Sequence, residues 1–434
     1  MIYESLLMNW KLRNKIIEGI GNLPSDHSPI PSTNRLLGGN RNLSQQKSNK
    51  ILLLLGLIGF LANGDVYSAA PLLIKIAGDF NIQTSVAALS ITSYMIAFGL
   101  FTVLIGPLGD RFGKSRIMLI SSFGSAIFSC LCLFVSNINS LILIRFINGA
   151  FSAGLMPVSM AIIGEEFGEA NRQTAIAKLM GMMTLGGASA TIISGALAYF
   201  ASWRMVYFIY GFAELLVAFL LLATLERQDG VLSKLNYFQV YRNVLTNNRV
   251  IWPVLTIVLL TGFSVFGSFA FSGELIKNAA NADVWIIGLI LAAFGAGGIA
   301  GSRLAMLIRP KLGNNICLIA GLIGAISLLA VSIVSNILWF VLAWFGFGIS
   351  FIWLHSTMIM TAQSTRPGIR GTIMSLVSFG FFVGSGIGTL INRRFLEIVG
   401  VNFIFQVAAV IFLVLGLIAL VTLNSIKRIQ FKAN

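Results

Sequence analysis

The sequence predicts an all-α, polytopic membrane protein with twelve transmembrane helices. Three observations carry that prediction. Of 434 residues, 56% are hydrophobic and only 10% charged, with a mean hydropathy of +0.87. A soluble chain is about a quarter charged, so this one has too little polar surface to cover a water-soluble particle. Apolar runs long enough to cross a bilayer, about 20 residues each, recur along the chain. One polar stretch, residues 226–250, divides those runs into two sets of six.

The elements follow in order. Residues 1–50 hold seven Lys or Arg, three Pro and many Asn, Gln and Ser. Their apolar stretches, 2–7 and 16–20, are too short for a secretory signal core. A disordered cytoplasmic tail is expected, with residues 1–20 forming a short helix on the membrane surface. The spans are then expected near 51–75, 86–108, 117–136, 141–164, 174–198, 204–225, 251–276, 284–308, 316–335, 337–362, 372–392 and 401–424. They group into an amino-terminal six-helix segment 51–225, a cytoplasmic central loop 226–250, a carboxy-terminal segment 251–424 and a cytoplasmic tail 425–434.

Charge orients them. With the amino terminus inside, the inner segments carry 24 of the 30 Lys and Arg. The other six are Lys75, Arg145, Arg204, Lys277, Arg393 and Arg394. Loop cations collect on the cytoplasmic side, so both termini are expected in the cytoplasm and the chain in the plasma membrane, with the lipid bilayer as partner. The net charge of +15 is spread between apolar runs and forms no basic face of the kind nucleic acid needs. Cys130 and Cys132 point about 200° apart on a helix, and no metal or disulfide framework is implied with Cys317. Glycines spaced four apart, Gly297 with Gly301 and Gly384 with Gly388, suit close helix packing in lipid. Gly386 makes the latter stretch look like a phosphate loop, but it follows no strand.

Four stretches carry chemistry. The first is Gly106-Pro-Leu-Gly-Asp110-Arg111-Phe-Gly113-Lys114-Ser-Arg116. An acid among cations at a membrane edge can bond Arg111 or the free N–H groups of a helix start, and breaking that bond would unlock one half from the other. The second, Arg145-Phe-Ile-Asn148-Gly149 with Ser152, lies on one helix face at i, i+3, i+4 and i+7. Arg145 is costly inside an apolar span and must find a cavity, a partner or the interface. The third is Asp65, 14 residues past Ile51, roughly 21 Å along a helix. That depth is beyond the middle of the apolar core, where a carboxylate needs a partner or a proton. Proton exchange at Asp65 with Arg145 as partner is the reading adopted. The fourth runs from Gly186 to Gly195 in span five.

These stretches resemble the major facilitator superfamily. The Gly–Asp-Arg–Gly–basic loop sits where that family has it, and Arg145 with Gly149 resembles its span-four element. The first span is similar to that of the twelve-span drug:proton antiporters, which often carry an acid there. Span five departs from the antiporter pattern, with Ala190, Thr191 and Ser194 standing where that branch has Gly, Pro and Gly. The resemblance covers residues 50–425 and implies two pseudo-symmetric six-helix bundles around a central cavity, lined by spans one, four, seven and ten. It also implies that Gly106, Asp110, Arg111, Gly113 and Lys114 gate the inner side. The second-half counterpart, Arg309-Pro-Lys311-Leu-Gly313-Asn-Asn315, keeps the cations and glycine but has no acid.

Further candidates for the cavity are Asn148, Ser152, Glu274, Trp344, Phe351 and His355. An aromatic face with one titratable group suits an apolar or cationic ligand. Glu214, Gly149, Gly186 and Gly195 read as structural or unassigned. The polar stripes Thr261, Ser264, Ser268, Ser272 and Ser375, Ser378, Phe382, Ser385 suit a wet cavity or bonds between helices. The function expected is secondary transport of a small molecule, with protons driving export of apolar or cationic compounds by alternating access. A carrier of one sugar or small acid is the alternative, and a non-transporting membrane sensor is the alternative of another class. No catalytic residue, cofactor or metal is expected, and the protein is expected to be a monomer.

Overall fold

A computed structural model describes residues 34–226, 237–247, 250–365 and 370–433. The chain divides into two compact units, Met1–Lys47 and Ser48–Asn434, and the bundle lies in the second. The expected surface helix at 1–20 and most of the expected tail fall outside the described residues, as do residues 227–236 of the central loop.

The amino-terminal helices are α1 (Asn34–Asp79), α2 (Leu89–Phe112), α3 (Lys114–Leu131), α4 (Ile138–Ser152), α5 (Leu155–Glu166), α6 (Glu169–Phe200) and α7 (Trp203–Thr224). A linker helix α8 (Tyr237–Asn247) follows. The carboxy-terminal set is α9 (Ile251–Phe269), α10 (Ser272–Ala280), α11 (Val284–Leu312), α12 (Ile316–Ile333), α13 (Ile337–Thr365), α14 (Arg370–Ile398) and α15 (Val401–Ala433). No strand occurs among the described residues. Among the described residues eleven apolar segments are long enough to cross a membrane, and one of them, Val284–Ile333, is the pair α11 and α12 broken by a turn at Gly313–Asn315. That makes twelve spanning helices, α4 with α5 forming one span and α9 with α10 another. Helices are forced here because a bilayer offers no partner for a free N–H or C=O. The outward faces are apolar and exposed, Ile326, Leu143 and Val410 among them, as a lipid-facing belt must be.

Three boundaries differ from expectation. Residues 34–50, expected in a disordered tail, are helical as the start of α1. The central segment, expected as a loop, holds α8, whose Tyr241 hydroxyl donates to the Val103 carbonyl at 2.9 Å. The Asp110 stretch is no loop either. α2 continues through Pro107 to Phe112, and α3 starts at Lys114, so Gly113 alone makes the turn.

Gly113 has φ of 89°, and Gly313, at the matching place between α11 and α12, has φ of 55°. A side chain is strained in that region while glycine is not. The two-fold repeat that is incomplete in side chains is thus present in the backbone. Gly113→Ala is expected to cost about 1 kcal/mol or more, read as a lower melting temperature of the detergent-purified protein.

Within the amino-terminal bundle α2 packs on α4, and α3 on α4 and α7; in the other, α9 packs on α14, α11 on α13, and α12 on α13 and α15. The bundles meet along two seams, α2 with α14 and α6 with α11. Small residues set the distances. A Cβ on Gly297 would lie 2.0 Å from the Phe345 carbonyl oxygen, and one on Gly384 equally close to that of Leu259. Gly386 faces the other way, toward Ile96 of α2. One helix therefore uses alternate glycines for its own bundle and for the seam. The stretch from Gly384 to Gly388 serves packing.

Candidate functional site

The site grows from α1. Asn63, at its middle, donates to the Met183 carbonyl of α6 at 2.8 Å, and Gly64 lies under the Tyr210 ring of α7. These contacts fix the rotation of α1, and Asp65 turns into the amino-terminal bundle. There the Arg145 guanidinium donates to Asp65 Oδ2 at 2.7 Å. Both side chains are buried, Arg145 to 2% exposure, so Arg145 does not reach to the interface. Arg145 donates also to Asn148 Oδ1 at 2.9 Å, and Asn148 donates in turn to the Ser125 carbonyl at 2.8 Å. Its guanidinium sits over the rings of Tyr94 and Tyr207, 4.2 and 4.6 Å from their centroids. Gly149 lets α4 approach closely enough, since a Cβ there would fall 2.4 Å from the Tyr94 carbonyl oxygen.

A buried ion pair is sustained only when the remaining donors and lone pairs are satisfied. Here the cation is well served by a carboxylate, an amide oxygen and two ring faces. The carboxylate is not: Asp65 Oδ1 is buried and has no hydrogen-bond partner among the described residues. The arrangement holds charge in place yet leaves one acid oxygen unserved.

Other expected residues stand elsewhere. Asn148 and Ser152 are sealed inside the amino-terminal bundle and line no open cavity. Their polarity serves the Arg145 network. Trp344 is equally enclosed, edge-on to Phe269 and Phe405. Phe351 and His355 do meet, stacked at 5.1 Å with Phe381 4.6 Å from the imidazole. Glu274 lies on α10 at the bundle end and accepts from the Thr84 hydroxyl at 2.9 Å, a bond between the two halves. The serine stripe is buried; Thr261 and Ser268 donate to carbonyls of their own helix α9, and Ser272, at the start of α10, donates to the Phe269 carbonyl at the end of α9. α9 meets α14 through another face, with Gly262 against the Phe381 carbonyl, and the buried stripe forms no wet wall.

In the Asp110 stretch Gly106 is open, Asp110 and Arg111 are exposed, and Lys114 pairs with Glu165 at the end of α5. Gly186 approaches the Phe60 carbonyl, while Gly195 meets Gly288 across the seam at 3.0 Å from an added Cβ to Cα.

Several participants were not singled out in the sequence. Ser125 belongs to a legible stripe, Ser121, Ser125, Ser129, on one face of α3, whereas Tyr94 and Tyr207 look like ordinary core. At the far end of α1, Asp79 pairs with Arg204 and accepts from Trp203 Nε1 at 3.1 Å. A cavity of about 450 Å³ opens there, bordered by Lys75, Asp79, Tyr199, Lys277 and Asp283. Residues of both halves line it, and Asp65 is not among them. Tyr67 of α1 reaches across the middle and meets Phe266, Phe269 and Phe294, the nearest at 5.0 Å. Among the described residues, no three His, Cys, Asp or Glu are placed to hold a metal ion.

Two six-helix bundles joined along glycine seams, with an ion pair locked inside one of them, have the architecture of a membrane carrier. The chain belongs to the Major Facilitator Superfamily, whose family model matches residues 55–389. It is 27% identical over 359 residues to the uncharacterized MFS-type transporter YceJ of Bacillus subtilis (strain 168), covering 79% of this chain and 88% of that one. It is 25% identical to a bicyclomycin resistance protein homolog of Haemophilus influenzae, over 53% of this chain and 58% of that protein. The fold is similar to the crystal structure of a bacterial homolog of the human lysosomal transporter Spinster, with a TM-score of 0.71 at 16% identity, covering 86% and 96% of the two chains.

Proposed function

We propose that this transporter exports small apolar or cationic compounds by exchanging them for protons, with Asp65 as the proton carrier. The observation behind the reading is the Asp65–Arg145 pair. A proton on Asp65 removes half of the pair and frees Arg145 from α1, so protonation and helix position are linked. The relative named for bicyclomycin resistance supports export. The aromatic group of Phe351, Phe381 and His355 in the other bundle supports apolar or cationic substrates. Asp110, Arg111 and Lys114 act at the inner rim, where release of one half would let the halves rock. The distribution of Lys and Arg supports cytoplasmic termini in the plasma membrane, and the carrier works as a monomer.

The test is cellular accumulation of a panel of fluorescent lipophilic cations, in cells expressing wild type or Asp65→Asn equally. Wild type is expected to lower accumulation, and a protonophore or Asp65→Asn to abolish the difference. A wild type that changes nothing across a broad panel would move the reading to a carrier of one metabolite.

A further inference from the structure

The amino-terminal bundle holds a second acid that the exchange at Asp65 does not use. Glu214, on α7, is 2% exposed. Its Oε2 accepts from the Ser125 hydroxyl at 3.0 Å, and that hydroxyl also contacts the Ser152 hydroxyl at 2.9 Å. Ser125 is the same residue whose carbonyl receives Asn148, which receives Arg145, which holds Asp65. The two acids are therefore the ends of one connected chain through α1, α4, α3 and α7.

The chain contains one cation. Set against Glu214 are Asp65 from α1, Tyr94 from α2, and Ser125 and Cys130 from α3, with Ser152 of α4 one hydroxyl further on. α6, also against α7, has no titratable residue between Lys178 and Tyr199. Arg145 is committed to Asp65, and Glu214 makes no salt bridge among the described residues. Its Oε1 is buried without a hydrogen-bond partner among them. An ionised carboxylate presents about four acceptor sites, and one hydroxyl serves this one. A charge so placed is costly in an apolar surrounding, whereas a carboxylic acid needs far less. The Ser125 hydroxyl can turn to accept the hydrogen bond of that acid's proton and donate its own to Ser152.

We propose that Glu214 is a second proton-binding site, holding a proton while Asp65 is paired with Arg145 and exchanging it during transport. The inference rests on the export reading for its transport role only. Ser125 is a positioning residue that joins the two acids.

Infrared spectroscopy of the full-length protein in detergent at neutral pH tests the proton directly. A carboxylic-acid C=O band is expected in wild type and in Asp65→Asn, and its loss in Glu214→Gln. Ser125→Ala, which removes the hydroxyl that Glu214 touches, is expected to move the band to higher wavenumber. No band in wild type, or a band unchanged in Glu214→Gln, overturns the proposal. Should Glu214→Gln not fold, a band that stays in place in Ser125→Ala overturns it. In proteoliposomes, Glu214→Gln is expected to slow efflux of ethidium driven by a proton gradient by about tenfold or more. Exchange of ethidium without a gradient should persist. Equal gradient-driven rates in the variant and wild type overturn the exchange of this proton. A wild type that moves no ethidium at all refutes the export reading, and the infrared band still decides whether Glu214 holds a proton.

Discussion

Arg145→Leu is expected to destabilise the amino-terminal bundle by about 3–5 kcal/mol, because it leaves Asp65 buried without its partner. The loss goes beyond the ion pair. Asn148 loses the donor that orients it, and the facing rings of Tyr94 and Tyr207 lose the cation between them. The double variant Asp65→Leu with Arg145→Leu removes both charges and should recover at least half of that loss, since no lone charge then remains. Thermal unfolding in detergent, compared across the two single variants and the double, measures the coupling. Singles and double that simply add would show that Asp65 and Arg145 do not depend on each other, and the proton-carrier reading would lose its basis.

Gly288→Val is expected to stop transport while leaving each bundle folded. A Cβ at Gly288 would stand 2.3 Å from the Thr191 carbonyl oxygen and 3.1 Å from Gly195 Cα. That contact lies in the seam between α6 and α11, so the clash opposes joining of the halves. Overpacking of this kind costs about 1–3 kcal/mol, which shifts a two-state equilibrium about 5- to 150-fold. The readouts are substrate flux and the labelling of Ala282→Cys, near the 450 Å³ cavity, by a reagent that does not cross the membrane. Faster labelling with lost flux is the expected pair. Unchanged labelling with normal flux would mean that the seam does not open during the cycle.

The spans were legible because lipid imposes one rule on every segment, and runs of apolar residues declare it. Asp65 and Arg145 were legible for the complementary reason: charge inside such a run demands an explanation. What stayed hidden depends on neighbours. A helical wheel puts Trp344, Phe351 and His355 on one face, but it does not say that Trp344 is enclosed by Phe269 and Phe405. Asn148 and Ser152 are polar and face inward, which reads as a cavity wall until Ser125 is found opposite them. Tyr94 and Tyr207 carry no mark that separates a cation-holding ring from core. The turn at Gly113 was blurred by the charges from Asp110 to Arg116, which read as a loop yet sit on the ends of α2 and α3. The linker helix α8 had a signal of its own, Tyr237, Tyr241 and Val244 at helical spacing, within a segment whose charge suggested a loop.

Asp65 and Tyr67 are two residues apart on α1 and so point to nearly opposite sides of one rigid rod. Asp65 engages Arg145 in its own bundle, and Tyr67 engages Phe266, Phe269 and Phe294 in the other. Any turn of the rod that relaxes one contact must disturb the other. On the proposed export mechanism, linkage would work in both directions: a molecule that displaces Tyr67 from the phenylalanines would change how tightly Asp65 holds its proton, and a proton on Asp65 would change how tightly that molecule is held. Two binding events on opposite sides of a single helix need no longer path than its diameter to sense each other.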